Sequence, residues 1–160
     1  MDALTLLEKQ HREVEELFKK AKKASGSQKE SLFIQIADAL ATHTSIEEKI
    51  FYPAALAKET EDVLLEALQE HLQAKRLLAD MLDMDGSDPR FDAKLTVLEE
   101  EGKHHVEEEE DDMFKKVRKL MDKEELQNLG VEMMNAVEML KDSEPHTEIP
   151  NETDEAAPLQ

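Results

Sequence analysis

The chain has 160 residues, of which 39 are acidic and 20 basic, and its formal net charge is −19. This length predicts one compact domain with or without a tail, and the acidity disfavours phosphate backbones and anionic membrane surfaces as partners. Because the chain has no cysteine, disulfides, thiolate nucleophiles and iron–sulfur clusters are excluded, and any metal would be held by histidines and carboxylates.

The composition favours helices over strands. Aromatic residues make up 4% of the chain and tryptophan is absent, whereas charged residues reach 37%. We therefore predict an all-α fold. The N-terminal stretch carries charges where a signal peptide needs an apolar run, and no stretch of about 18 apolar residues occurs. These features predict a cytoplasmic location without membrane attachment.

Polar breaks containing glycine or proline divide the chain into predicted helices. The five helices span residues 2–24, 28–56, 61–83, 89–120 and 123–141. Pro53 should kink or end the second helix close to Tyr52, because proline lacks the N–H that bonds to the carbonyl four residues back. Residues 1–141 form the predicted helical domain, and the acidic residues 142–160 form a predicted disordered tail.

Three helix starts carry capping signals. Ser27 with Glu30 and Asp122 with Glu125 have the spacing of capping boxes, and Asp88 precedes a proline suited to the first helical position. The fifth helix has an apolar stripe without a polar interruption. We predict that it covers one flank of the helical bundle or contributes to a homodimer interface.

The other four helices lose their apolar stripes to polar side chains. Core-facing positions recur every three or four residues in an amphipathic helix, and here several hold imidazole or carboxylate groups. The interrupting residues are His11 in the first helix, His43 and Glu47 in the second, His71 in the third, and His105 and Glu109 in the fourth. Burying such groups without partners costs roughly 2–7 kcal/mol each. A shared metal centre would compensate for this cost.

Two of these helices carry a histidine followed four residues later by a glutamate. At that spacing both side chains project from one face about 6 Å apart, so the imidazole can hold one ion while the carboxylate reaches a second. We therefore predict the four histidines as terminal ligands and the two glutamates as bridges between ions about 3.5–4 Å apart. Tyr52, close to Glu47, is a candidate hydrogen-bond donor to the centre.

His104 lies beside His105, and helical periodicity separates the two. His105 shares a face with the apolar Leu98, whereas His104 lies on a more polar face. We therefore pair His105 with Glu109 and keep His104 with Glu108 as the alternative, or as an outer pair. Seven further acidic residues are typical of solvated helix faces, with Glu15, one turn after His11, kept open as an exception; they are Glu8, Glu15, Glu48, Glu108, Glu110, Asp111 and Asp112.

These patterns resemble the hemerythrin family, in particular its HHE cation-binding domains, over about residues 3–120. The motifs that carry the resemblance are LxxxHREVEELF, HTSIEEKIFYP, EHLQAK and HHVEEEEDDMF. The resemblance implies an antiparallel up-down four-helix bundle with the site in its core, to which residues 123–141 add a C-terminal helix. It also implies a centre of two iron ions, oxo- or hydroxo-bridged, with His11, His43, Glu47, His71, His105 and Glu109 as ligands.

Two positions depart from the oxygen-carrying hemerythrins. Lys75 stands where those carriers have a second histidine on the third helix, and Glu109 replaces an aspartate one residue further on. Both departures favour the HHE branch over a reversible oxygen carrier. Lys75 is either a counter-charge for a bound anion or peroxide, or a surface lysine whose stem lies along the helix.

The predicted function is a di-iron protein that binds or reduces dioxygen, peroxide or nitric oxide. The alternative is an iron- or oxygen-sensing regulatory module without turnover, which acts on a protein partner. A ferritin-like oxidase is disfavoured because Glu-x-x-His pairs are missing at His43, His71 and His105. Zinc and manganese suit the same ligands, and iron is chosen on the resemblance alone. We predict no nucleic-acid partner and no membrane partner.

Overall fold

The computed structural model describes residues 1–160, which form helices and connecting turns without a strand. The predicted all-α class is confirmed. The α-helices are α1 (Ala3–Lys23), α2 (Gly26–Ile46), α3 (Tyr52–Ala55), α4 (Glu61–Leu82), α5 (Pro89–Glu108), α6 (Phe114–Leu120) and α7 (Lys123–Leu140), and Pro145–Glu152 form a 3₁₀-helix. None of these helices combines the length and the apolar composition needed to cross a lipid bilayer.

Two of the three predicted helix starts are confirmed. The Asp88 carboxylate accepts a hydrogen bond from the backbone N–H of Arg90 at the start of α5. At the start of α7, Asp122 and Glu125 form a reciprocal capping box, in which each side chain accepts from the backbone N–H of the other residue. Local sequence therefore sets where these two helices begin.

The predicted capping box of Ser27 and Glu30 is wrong. Helix α2 begins at Gly26, and its cap residue makes no side-chain hydrogen bond to the helix. Glu30 instead accepts from the backbone N–H of Gly86, in the loop between α4 and α5, at 3.2 Å. A Cβ atom at position 86 would lie 2.8 Å from Glu30 Cγ, so this approach favours glycine. The glutamate ties a distant loop to α2 rather than capping its own helix.

Two of the predicted helices are each widened by a single π-helical turn. These turns are Glu47–Phe51 and Glu109–Met113, and in each the residue that follows bonds through its N–H to the carbonyl of the first glutamate. The predicted helix 28–56 is therefore α2, a π turn and α3, and Pro53 lies just beyond that turn. The predicted helix 89–120 is likewise α5, a π turn and α6.

Two apolar clusters fill the interior, and the polar core-facing residues lie between them. On α1, His11 lies between Leu7 of the first cluster and Phe18 of the second. Helix α4 likewise begins in the first cluster and ends in the second. Helix α2, and α5 with the π turn that follows it, run the other way, from the second cluster to the first. This alternation favours the antiparallel up-down arrangement of four helices, which stays a prediction.

Helix α7 covers one flank of the molecule and packs against α1. Its buried residues include Leu126, Leu129 and Met133, which belong to the first apolar cluster. A Cβ atom at Gly130 would lie 2.4 Å from the carbonyl oxygen of Met1, so the close approach of the N-terminal backbone requires glycine there. The flank is the first of the two positions that the sequence left open for this helix.

Residues 142–160, called the C-terminal segment below, fold back onto α2 and α4 instead of forming the expected disordered tail. Ile149 is buried against the second apolar cluster. His146 donates hydrogen bonds through its backbone N–H and its Nδ1–H to Asp38 of α2. We predicted disorder from the acidity and proline content of the whole segment. One buried side chain and a few hydrogen bonds nevertheless hold it against the helices.

Candidate metal centre

The six predicted ligand residues converge between the two apolar clusters. Five are buried, and the His105 side chain keeps 12% of its surface exposed. The ligand atoms form two groups, and within each group all atoms lie within 4.8 Å of one another. One group comes from His11, His43, Glu47 and Glu109, and the other from Glu47, His71 and His105. The helices therefore bring all six residues to one place, and Glu47 is shared by both groups.

Glu47 lies at the middle of the centre. Its Oε1 is 3.1 Å from His43 Nε2 and 3.2 Å from His71 Nε2. Neither of its carboxylate oxygens has a hydrogen-bond partner, although the side chain is fully buried. A carboxylate in this environment is costly unless a positive charge lies close to it.

Glu109 is held by three neighbours. Its Oε1 is 3.1 Å from His11 Nε2, and its Oε2 is 3.4 Å from His105 Nε2. The hydroxyl of Tyr52 donates to Oε2 at 2.6 Å, so the expected donor is present but serves Glu109 rather than Glu47. Burial and the charge of Glu109 raise the pKa of Tyr52 well above its ordinary value, which keeps this hydroxyl protonated.

The other ring nitrogen of each imidazole is hydrogen-bonded to a residue outside the centre. The four pairs are His11 with Glu110 at 2.6 Å, His43 with Gln10 at 2.7 Å, His71 with Glu48 at 2.8 Å and His105 with Glu70 at 2.7 Å. Ionised carboxylate and amide oxygens only accept hydrogen bonds, so Nδ1–H donates in every pair. A neutral imidazole then keeps its lone pair on Nε2, which faces the two glutamates.

The prediction that Glu48 and Glu110 are solvated is wrong. The Glu48 side chain is 7% exposed and that of Glu110 24%, and each accepts a hydrogen bond from an imidazole. Both follow directly after a predicted bridging glutamate and lie in a π turn. In a π turn the angle between successive side chains around the helix axis is smaller than in an α-helix. The repeated H-x-x-x-E-E pattern is the sequence signal that could have found them.

Comparison with known proteins decides the family. Residues 2–117 match the hemerythrin HHE cation binding domain. The chain belongs to this family. Its fold is similar to the crystal structure of a hemerythrin HHE cation binding domain-containing protein from Mycobacterium kansasii, with a TM-score of 0.79 and 25% sequence identity over 89% of each chain. The resemblance inferred from the motifs is thus confirmed.

A second relative has a different name. The chain is 26% identical over 137 residues to a DNA nickase from a Nostoc species, and the match covers 85% of this chain. The chain spans only 39% of the length of that relative. The relative therefore extends well beyond the region that it shares with this HHE chain.

The residues at the HHE centre fit a bound cation. Four buried atoms lack a hydrogen-bond partner, and all lie at this one place: both carboxylate oxygens of Glu47, His43 Nε2 and His105 Nε2. Orphaned buried polar atoms are rare in folded proteins, and a site needs a reason to hold several. Imidazole nitrogen and carboxylate oxygen are the donors that iron, zinc and manganese accept.

Electrostatics in the HHE centre also favour positive charge. Burial alone would lower the pKa of His105, but the charge of Glu109 raises it well above its ordinary value. Burial likewise opposes protonation of His71, and its contacts with Glu47 and Glu48 outweigh burial, so the pKa of His71 is raised. The buried carboxylates therefore attract protons to the imidazoles, and a metal cation would compete for the same nitrogens.

Lys75 occupies neither of its two predicted positions. Its side chain is 7% exposed, its ammonium donates to Glu48 Oε1 at 2.9 Å, and it also lies 2.9 Å from Glu152 Oε1 in the C-terminal segment. A surface lysine would be solvated, and a counter-charge for a bound anion would lie among the imidazoles. Lys75 instead supports the carboxylate that holds His71.

The structure brings His105 rather than His104 into the centre. The His104 side chain is 65% exposed and pairs with Glu108 one helical turn later, at 2.9 Å. These two residues and Glu70 form a separate group at the surface of α4 and α5. His104 is thus an outer neighbour of the centre, and the choice of His105 as the ligand stays a prediction.

A cavity of about 580 Å³ opens beside the imidazoles. Its lining includes the four predicted histidine ligands but neither Glu47 nor Glu109. Apolar side chains of α1, α2 and α5, among them Phe18, Leu40 and Leu98, also line it. The centre is therefore accessible from its imidazole side, and the cavity has the size of a site for a small molecule.

Proposed function

We propose that this HHE chain is a non-heme di-iron protein that binds or reduces a small oxidant, namely dioxygen, peroxide or nitric oxide. One observation carries the proposal. Both oxygens of the fully buried Glu47 lack a hydrogen-bond partner while His43 Nε2 and His71 Nε2 lie within 3.2 Å of its Oε1. Such an arrangement is stabilised when cations lie between these atoms.

The two groups of ligand atoms suggest how the residues divide. In this proposal His11 and His43 would hold one iron and His71 and His105 the other, with Glu47, which belongs to both groups, and Glu109, which lies 3.4 Å from His105 Nε2, as shared carboxylates. A bound pair of iron ions supplies electrons and open coordination positions for an oxidant. Iron is proposed on family membership, because the same ligands suit zinc and manganese.

The chain's own residues prepare the site for this role. Each Nδ1–H donates to an outer oxygen and thereby fixes the ring orientation and keeps the Nε2 lone pair inward. Tyr52 holds Glu109 by its hydroxyl, and the two apolar clusters limit access of water from both sides. The cavity beside the imidazoles is the proposed route for the oxidant.

Metal analysis and rapid mixing test the proposal, with His104 as the matched control for His105. We expect about two iron ions per chain after growth in iron-rich medium, and a visible absorption change when the reduced protein meets oxygen, peroxide or nitric oxide. His105→Gln should lose iron, whereas His104→Gln should retain it. Less than about one iron per wild-type chain, or equal loss in both variants, would contradict the proposal.

A second candidate is an iron- or oxygen-sensing regulatory module that acts without turnover on a protein partner. It is favoured by the docking of the C-terminal segment against Lys75, which is linked to the predicted ligand His71 through Glu48. Steady consumption of the oxidant over many cycles with an added electron donor would argue for the first candidate. A single stoichiometric reaction, followed by a change in the exposure of the segment, would argue for the second.

Nucleic acid has no part in either candidate. The net charge of −19 repels phosphate backbones, and the DNA nickase relative extends well beyond the shared region. Cytoplasmic location and homodimer formation stay predictions from the sequence.

A further inference from the structure

A continuous chain of charged contacts links the C-terminal segment to the metal centre. The Glu152 carboxylate lies 2.9 Å from the ammonium of Lys75, which donates to Glu48 Oε1 at 2.9 Å. The other oxygen of Glu48 accepts from His71 Nδ1–H at 2.8 Å. Three contacts therefore connect the segment to a predicted ligand.

The middle of this chain of contacts is shielded from solvent. The side chains of Lys75 and Glu48 are each 7% exposed, whereas Glu152 is 47% exposed. A buried ammonium needs close anionic partners to offset its lost hydration, and Lys75 has two. If Glu152 is removed, Lys75 keeps one partner, and its flexible stem is free to turn the ammonium toward water and away from Glu48.

Folding of the C-terminal segment sets the position of Glu152. The guanidinium of Arg76, next to Lys75 in sequence, donates to the backbone carbonyl oxygens of Thr153 and Asp154 at 2.9 and 3.2 Å. Ile149, three residues before Glu152, is buried against the second apolar cluster. Anchors on both sides of Glu152 therefore hold its carboxylate beside Lys75.

From these contacts we infer that Glu152 and Lys75 are positioning residues for His71, and that the C-terminal segment supports one half of the metal centre. Lys75 holds the Glu48 carboxylate against His71 Nδ1–H, and Glu152 holds Lys75. The inference rests on the proposed metal site, because the imidazole whose orientation is fixed in this way is a proposed ligand. Outer partners of metal-bound histidines typically change metal affinity by about 10- to 100-fold.

The other half of the centre does not use the C-terminal segment. Glu110, which accepts from His11 Nδ1–H, is paired with Arg12 of α1, whose side chain is 54% exposed. Arg12 therefore has the position relative to Glu110 that Lys75 has relative to Glu48. Because Arg12 pairs with the carboxylate that holds His11 and lies on α1 rather than against the C-terminal segment, it supplies a matched control for Lys75.

The test uses the 160-residue chain and zinc, which is diamagnetic and suits the same ligands. Zinc affinity is measured by competition with a chelator, and the Nδ1–H protons of the histidines are assigned by nuclear magnetic resonance in metal-free and zinc-loaded protein. The variants are Glu152→Gln, Lys75→Met, the double variant and Arg12→Gln. Lys75→Arg serves as the conservative replacement that should restore the wild-type behaviour.

We expect Lys75→Met to weaken zinc binding about 10- to 100-fold, the range for outer partners, and Glu152→Gln to weaken it less, about threefold, because Glu152 acts only through Lys75. Both should shift the Nδ1–H resonance of His71 and leave that of His11 in place, and Arg12→Gln should do the reverse. Glu152→Gln should have no further effect in the Lys75→Met background, because its action passes through Lys75.

Three results would overturn the inference: an unchanged His71 resonance in Glu152→Gln, equal shifts at His71 and His11, or additive effects in the double variant. Failure of the proposed function is recognised separately, because wild-type protein would then bind no zinc or iron. The His71 resonance of the metal-free protein would still decide whether Glu152 and Lys75 position that imidazole.

Discussion

Two units of the chain with the same spacing build the centre, and they are supported differently. Residues 43–52 form the first unit and residues 105–114 the second, and each has a histidine, two adjacent glutamates and an aromatic residue at equivalent positions. Each contains a π turn that begins at its first glutamate. In each, the second glutamate accepts a hydrogen bond from a histidine of another helix, His71 for the first unit and His11 for the second.

The aromatic residue breaks this equivalence. Tyr52 of the first unit donates its hydroxyl to Glu109 of the second, whereas Phe114 of the second stacks beside the His11 ring with centroids 6.3 Å apart and has no hydroxyl to offer Glu47. As a result Glu109 is satisfied by the protein and Glu47 is not. Of the two carboxylates, Glu47 is therefore the one that most needs a nearby cation.

The largest expected effect on metal binding comes from neutralising the first glutamate of each unit, Glu47 in one variant and Glu109 in another. Glu47→Gln should weaken zinc or iron binding by more than the about 100-fold typical of outer partners, without destabilising the metal-free protein, because no hydrogen bond is lost. Glu109→Gln should weaken binding and also lower the free energy of unfolding by about 1–2 kcal/mol, since Tyr52 then donates to a neutral instead of a charged acceptor. Chelator competition and urea denaturation measure the two quantities. Equal destabilisation by both variants would contradict the difference between the units.

Exchanging the aromatic residues tests the same difference from the other side. Tyr52→Phe should lower the free energy of unfolding of the metal-free protein by about 1.5–3 kcal/mol, the value of a hydrogen bond to a charged group. Phe114→Tyr should also destabilise, by about 1–3 kcal/mol, if its new hydroxyl finds no partner in the buried contact with His11. Urea denaturation in the presence of a chelator gives both values. A stabilising Phe114→Tyr would mean that its hydroxyl reaches Glu47 and that the units are closer to equivalent.

The pH dependence of stability gives a smaller effect with a definite sign. His105 of the second unit has a pKa raised well above the ordinary 6.5, so its contribution is fully present below about pH 6.5 and is lost as pH rises through the raised value. The metal-free protein should therefore become less stable above pH 6.5, by at most about 1.4 kcal/mol per pH unit for this group. Zinc-loaded protein should show the opposite slope, because metal binding displaces protons. Glu70→Gln, which removes the carboxylate on His105 Nδ1, should flatten the metal-free slope.

The sequence predicted the residues that interrupt regular helical stripes, because one residue in the wrong position of a periodic pattern is a local signal. His71 and His105 were singled out in this way, and the structure places both side chains inside and that of His104 at the surface, while their role as ligands stays a prediction. The π turns were not predicted. They widen the helices at Glu47 and Glu109, and Glu48 and Glu110, which accept hydrogen bonds from imidazoles, lie within them.

The C-terminal segment shows the second limit of sequence reasoning. Its acidity and prolines are typical of a solvated chain, and its anchors are contacts between distant residues. Asp38 meets His146, and Arg76 meets the carbonyl of Thr153, across 108 and 77 positions of the chain. No local pattern reports such pairs, so the support of His71 by Glu152 could be found only in three dimensions.

The smallest expected effect concerns the entry to the C-terminal segment, which supports the first unit alone. Glu144 has a φ of 52°, a left-handed conformation that costs a non-glycine residue about 1–2 kcal/mol. Glu144→Gly should remove this strain at an entropic cost of about 0.5–1 kcal/mol in the unfolded chain, so the docked segment should gain about 0.5–1 kcal/mol. Hydrogen exchange of the His146 and Thr147 amides, which donate to Asp38 and to the Glu144 carbonyl, should slow by about two- to fivefold, while exchange around the second unit stays the same. Faster exchange at these two amides would mean that the turn at Glu144 is not strained and that the hydrogen bonds further along the segment determine its docking.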